Sequence, residues 1–81
     1  MRFDIKITVS LKEGMLDPEA RAIQGALKNL GFETTALSTS RLFHISLEAL
    51  DREQAEALGL QMCERLLANP IIHQYSVEVL E

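Results

Sequence analysis

Three groups of side chains here are of types that can do chemistry: a single thiol, Cys63; two imidazoles, His44 and His73; and Lys12-Glu13-Gly14 in the stretch "LKEGMLDPEARAIQGALKNLGF", residues 11–32. A thiol acts as a nucleophile or a metal ligand only as the thiolate, which needs an electropositive, partly exposed setting such as a helix start. Cys63 falls instead inside the apolar stretch "QMCERLL" with no helix start nearby, where a thiol is a small core or boundary residue. His44 and His73 belong to different elements, with neither HxH nor HxxxH spacing and no cysteine close by, so no metal site is predicted. A serine–histidine–aspartate hydrolase needs a turn that exposes its nucleophile, and the chain has no Gly-x-Ser-x-Gly. It also lacks a P-loop and a Gly-x-Gly-x-x-Gly loop, the devices that cradle nucleotide phosphates. Glu48, Asp51, Glu53 and Glu56 cluster where a helix begins and are interrupted by Arg52, which is the pattern of a solvated face. No catalytic residue is predicted, and the Lys12-Glu13-Gly14 loop is the group left without an assignment.

The elements that must position this loop follow from periodicity. Phe3, Ile5, Ile7, Val9 and Leu11 alternate with polar residues, the period of a strand with one buried face. Asp17 can accept from free backbone N–H groups, Pro18 has its φ already set for a helix, and Glu19 suits the positive helix start. A helix over about residues 18–30 follows, with Ile23, Ala26, Leu27 and Leu30 on one face and Gly31 closing it. Gly25 inside it permits a close approach to the sheet. "TTALSTS" then reads as a weakly apolar edge strand and "LFHISL" as a stronger one, joined by a hairpin near Ser40-Arg41. Asp51 caps a second helix running to about Leu67, Asn69-Pro70 ends it, and Tyr75, Val77 and Val79 alternate along a last strand.

The order β-α-β-β-α-β predicts an α+β, ferredoxin-like two-layer sandwich: a four-stranded antiparallel sheet with two helices on one face and the first and third strands central. The opposite face would carry Arg2, Asp4, Lys6, His44, Glu48, Ser76 and Glu78. Eighty-one residues fit a single domain spanning 1–81, and at this size one core leaves only a few kcal/mol of stability, so self-association is expected. One cysteine excludes an intramolecular disulfide, and neither an export signal nor a membrane span is evident, which makes the cytoplasm the expected compartment with no membrane partner. Twelve acidic against eight basic side chains give a net charge of −4, unfavourable for phosphate backbones, so no nucleic-acid partner is expected. For the loop two readings stand: Leu16 packs as a hydrophobic staple onto the helix, or the loop is an intersubunit contact.

The run from Leu11 to Phe32, with Lys12, Gly14, Leu16, Asp17 and Pro18 at its start, is joined by a second run, "MCERLLANPIIHQYSVEVLE". Together they closely resemble the PurS family, the small subunit of phosphoribosylformylglycinamidine (FGAM) synthase in purine biosynthesis, in order and spacing over nearly the whole chain. The sequence departs from the family at "LSTSR", residues 37–41, where Ser38 stands for the usual basic residue and Ser40 for the turn glycine, while Arg41 keeps a positive charge at the lysine position. The resemblance implies a non-catalytic subunit, a homodimer or homotetramer, that bridges a synthetase subunit (PurL) and a glutaminase subunit (PurQ) and assists ammonia transfer. It implies no cofactor in this chain, with ATP and Mg in the synthetase partner. Lys12, Gly14, Leu16, Asp17, Pro18 and Arg41 are the candidate partner or subunit interface. Two other classes would fit a βαββαβ unit of this size: a regulatory domain sensing a small metabolite at a dimer interface, and a small enzyme using His44 or His73.

Overall fold

The computed structural model describes residues 1–80. Strand β1 spans Arg2–Leu11, helix α1 Pro18–Asn29, strand β2 Ser40–Glu48, helix α2 Arg52–Met62 and strand β3 His73–Leu80. β1 pairs antiparallel with β2, from Arg2 opposite Glu48 to Ser10 opposite Ser40, and with β3, from Asp4 opposite Leu80 to Leu11 opposite His73. The sheet order is therefore β2-β1-β3. The alternation along β1 works as its sequence implies: Ile5, Ile7 and Val9 are buried on one face, and Val79 of β3 joins them in the core. On the other face Lys6 pairs with Glu78 at 3.2 Å, and the Arg2 guanidinium donates to the Ser46 hydroxyl at 3.2 Å and lies 3.4 Å from Asp4.

The four-stranded sheet expected from the sequence is not what forms. Of "TTALSTS", read as an edge strand over residues 34–40, residues 34–39 have no strand structure, and Ser40 and Arg41, near which a hairpin was expected, open β2 instead. The physical reason is the placement of α1. Among the described residues of this helix only Ala20, near its start, is buried, and the following segment turns back along it. Gln24 donates from Nε2 to the Thr34 carbonyl at 3.2 Å and to the Thr34 hydroxyl at 3.0 Å, and Thr39 donates from its hydroxyl to Asp17 at 2.8 Å. A 12-residue helix is about 18 Å long and seven extended residues span about 23 Å, so residues 33–39 are consumed in returning to the end of the sheet. The helix that packs on β1 and β3 is α2. β1 is central, as expected, but β2 is an edge strand with its outer side unpaired. The molecule is accordingly long, 51 × 26 × 16 Å, with a radius of gyration of 16.1 Å against about 12 Å for a compact chain of this size.

Both helix starts read correctly: Asp17 accepts from Ala20 N at 2.9 Å and Asp51 from Gln54 N at 2.8 Å. Gly31 has φ +97° and closes α1 in a Schellman arrangement, with Phe32 N donating to Leu27 O at 2.9 Å and Gly31 N to Lys28 O at 3.0 Å. The second helix is less regular than its periodicity implies. Past Met62 it widens into a π turn, Cys63–Leu67, closed by Ala68 N donating to Cys63 O at 2.9 Å. Cys63 and Leu67 face the core, while Leu66 turns outward and is 84% exposed.

The close approach expected at Gly25 is absent, since a Cβ there would meet no heavy atom within 4 Å. It occurs at Gly59, where a Cβ would lie 2.8 Å from Val77 Cγ1 and 3.0 Å from Ile5 Cδ1. This contact lets α2 settle onto β1 and β3, and the β-branched Val77 cannot swing aside freely. Gly59→Ala should lose its helix-propensity gain of about 1 kcal/mol to repacking and destabilise by about 1 kcal/mol net. Gly59→Val should cost more. Urea denaturation checks both, as a lower midpoint at unchanged slope.

Candidate functional site

The sequence directs attention to the loop after β1, and local chemistry explains its shape. Lys12 N donates to Ile72 O at 2.8 Å, tying the end of β1 to the turn that precedes β3. Met15 N donates back to Lys12 O at 3.1 Å, closing a four-residue turn in which Gly14 holds φ +86°. That left-handed position is the one a type II turn reserves for glycine. The chain then enters α1 through Asp17 and Pro18, with Pro18 at the first helical position, where its missing N–H costs nothing.

Asp17 uses both carboxylate oxygens. One accepts from the Ala20 backbone N–H and the other from the Thr39 hydroxyl, 22 residues further along the chain. These bonds, the one from Ala20 first, hold its carboxyl below the usual carboxylate range. One side chain thereby starts the helix and fastens the returning segment to its base. Lys12, Gly14, Asp17, Leu37, Ser38 and Thr39 line part of an open cleft of about 450 Å³. A neighbouring cleft of about 260 Å³ shares Ser10, Leu11 and Thr39 with it and adds Glu19, Arg41 and His73. The Arg41 guanidinium sits 5.6 Å from the Phe43 ring centroid, a cation–π contact that holds it over β2.

The structure thus brings Lys12, Gly14, Asp17 and Arg41 to one end of the sheet. Leu16 and Pro18 line neither cleft. Leu16 is 75% exposed and makes no staple, because the fourth helical residue, its partner in such a staple, is Arg21 rather than an apolar side chain. Thr39 was not singled out in the sequence, and His73 was weighed there only as a metal ligand or an enzyme residue, not as part of this end of the sheet. Thr39 lay within a segment read as a strand, and no local pattern announces its bond to Asp17. His73 carried a signal, its place after Asn69-Pro70: its Nδ1 accepts from Asn69 N at 2.9 Å, and the Asn69 side chain accepts from Ile71 N at 3.0 Å.

The site offers binding groups rather than reactive ones. Cys63 is fully buried, and desolvation with the nearby Glu64 pushes its thiol upward, towards the protonated form. His44 stands on the polar face of the sheet, opposite Lys6. Among the described residues no group of three or more His, Cys, Asp or Glu is placed to hold a metal ion, and no helix is long and apolar enough to cross a membrane.

Comparison with known proteins gives this end of the sheet its context. The family model for PurS, phosphoribosylformylglycinamidine (FGAM) synthase, matches residues 4–81. The chain belongs to the PurS family. PurS is a subunit of FGAM synthase, an enzyme of purine biosynthesis. The chain is 47% identical over 72 residues to the phosphoribosylformylglycinamidine synthase subunit PurS of Archaeoglobus fulgidus, a match covering 88% of this chain and 90% of that one. Among solved structures it is similar to Bacillus subtilis PurS, with a TM-score of 0.87, 38% identity and coverage of 98% and 99% of the two chains. It is also similar to a chain of the structure of PurLQS from Thermotoga maritima, with a TM-score of 0.89, 28% identity and 99% of each chain covered.

Asp17→Ala should lower the melting temperature at neutral pH. The sign of its pH dependence follows from a folded-state pKa below the ordinary carboxylate value: the stabilisation is present above that value and is lost as pH falls through the folded one. Melting curves of parent and variant should therefore be separated at pH 7 and converge below about pH 4. Gly14→Ala should cost about 1 kcal/mol through backbone strain alone, as the added Cβ has open space around it.

Proposed function

We propose that this chain acts, as one domain over residues 1–81, as the non-catalytic subunit that bridges the glutaminase (PurQ) and synthetase (PurL) subunits of FGAM synthase. The observation that carries the reading is the full-length similarity to a chain of the Thermotoga maritima PurLQS structure. In this reading the chemistry lies in the partners: glutamine hydrolysis in one, ATP-dependent and Mg-dependent amidation in the other, in the cytoplasm. Free ammonia is largely protonated in neutral water and then is no nucleophile, so a subunit that keeps the two sites in one assembly prevents that loss.

The surface we assign to the partners is the end of the sheet where Lys12, Gly14, Asp17 and Arg41 converge, with Leu16 and Pro18 beside them. It is open, polar and fixed by backbone bonds, the qualities of an interface rim. A homodimer or homotetramer would present several copies of it.

Mixing the chain with its cognate synthetase and glutaminase subunits, and following co-elution and glutamine-dependent product formation, tests the assignment. The parent chain should co-elute and restore turnover with glutamine. Lys12→Glu should weaken assembly by roughly tenfold while leaving the circular dichroism of the isolated subunit unchanged. Undiminished assembly and turnover with Lys12→Glu would remove this surface from the interface. A chain that joins neither subunit would remove the bridging role.

A further inference from the structure

We propose that the polar face of α1 carries a binding site for a purine nucleoside monophosphate, with the phosphate held between Arg21 and Lys28 over Gly25 and the base stacked on Phe32. The site shares no residue with the clefts at the end of the sheet and does not depend on the assignment of that end to partner subunits.

A glycine in mid-helix carries a propensity penalty, and close packing is the usual reason for one. Gly59 has that reason in Val77 and Ile5. Gly25 has none within this chain: a Cβ there would meet no heavy atom within 4 Å, and its φ is not left-handed. What the missing side chain leaves is a bare saddle of helix. The saddle lies in a cleft of about 280 Å³, walled by Arg21, Gln24 and Lys28 of α1 on one side and by residues 32–34 on the other.

Arg21, Gly25 and Lys28 follow at i, i+4 and i+7 and so share one helix face, opposite the apolar face of Ile23, Leu27 and Leu30. The two cations stand about 10 Å apart along the axis, one on each side of the saddle. Among the described residues neither has an ion-pair partner. Their long side chains reach a phosphate placed over Gly25 from both sides, and the Arg21 guanidinium can donate to two of its oxygens at once. Side chains hold the phosphate in this arrangement, so no glycine-rich phosphate loop is required.

The aromatic wall is set in place beforehand. Phe32 follows the left-handed Gly31, its N–H donates to Leu27 O, and Gln24 ties Thr34 back to the helix, yet the Phe32 side chain is left 61% exposed. A fixed aromatic face beside two cations suits a base that carries a phosphate, and the two rings of a purine cover more of it than one. Glu33 and the Gln24 side-chain carbonyl, whose amide nitrogen donates to Thr34, are acceptors for ribose hydroxyls. An acidic protein segment would use the two cations but would meet Glu33 as a like charge and leave Phe32 unmatched. The volume lies at the lower edge of small-molecule sites, which begin at about 300 Å³, and so fits a mononucleotide rather than a dinucleotide.

The test is a titration of the full-length chain with adenosine monophosphate, adenosine and inorganic phosphate in turn, followed through amide NMR shifts. The monophosphate should give saturable shifts centred on Gln24, Gly25, Lys28 and residues 32–34, with adenosine and phosphate each binding at least tenfold more weakly. Gly25→Leu fills the saddle and relieves the helix penalty, so it should weaken binding at least tenfold while raising the melting temperature by roughly 4 °C. These opposite signs separate a lost site from a damaged fold. Phe32→Ala should weaken the monophosphate roughly tenfold. Arg21→Gln should weaken it at least fivefold and leave adenosine unchanged. Absence of saturable shifts at millimolar monophosphate overturns the proposal, as does a Gly25→Leu chain that binds as the parent does. Phosphate binding as tightly as the monophosphate would leave an adventitious ion only. Shifts on this face that arise solely on adding the synthetase or glutaminase subunit would make it a protein contact and overturn the nucleotide site.

Discussion

Burial of Ile5, Ile7 and Val9 beneath α2 is the contact on which the rest of this chain depends. β1 is paired on both edges, and its apolar face is the floor of the core. α2 reaches that floor because Gly59 has no side chain to hold it away. Every other feature is fastened to an end of this strand. The loop at residues 12–17 leaves its C-terminal end, where the bond from Lys12 to Ile72 holds it beside the start of β3. At the opposite end Ala49 N donates to Met1 O at 2.9 Å, holding the connection into α2. The result is a rigid strut held at both ends.

The polar groups at the sheet's end do positional work. Asp17 is both helix cap and anchor for Thr39, so the direction of α1 and the start of β2 are set by a single carboxylate. Gly14 permits the turn before it, and Arg41 is held by Phe43 beside it. None of these groups is organised to transfer a proton or attack a carbonyl. Their order defines the shape of this end of the sheet.

Much of this was legible in the sequence because the relevant physics is local. Alternation placed β1 and β3, Asp17-Pro18 and Asp51 placed the helix starts, and Gly31 placed a helix end, each through groups within a few residues of one another. What escaped depends on contacts distant in sequence. Whether "TTALSTS" becomes a strand is decided by where α1 points, and that is decided by bonds from Thr39 to Asp17 and from Gln24 to Thr34. The close approach of helix to sheet was assigned to Gly25 rather than Gly59 because both glycines sit mid-helix, and only packing separates them. The π turn at Cys63–Leu67 leaves the apolar spacing intact and changes only which residue turns outward. The family resemblance rested on long runs of residues, and so it survived these local errors.

The pairing of β1 with β3 also bears on how the chain matures. Asp4 finds its partner in Leu80, so nearly the whole sequence must be synthesised before the central strand has neighbours on both sides. Until then β1 can pair only with β2, and its other edge stays open to whatever is close by. Contacts so distant in sequence make folding slow relative to a helical protein of the same size. Several copies emerging from one message would be near neighbours during that interval, a setting that favours association between chains while each is still incomplete.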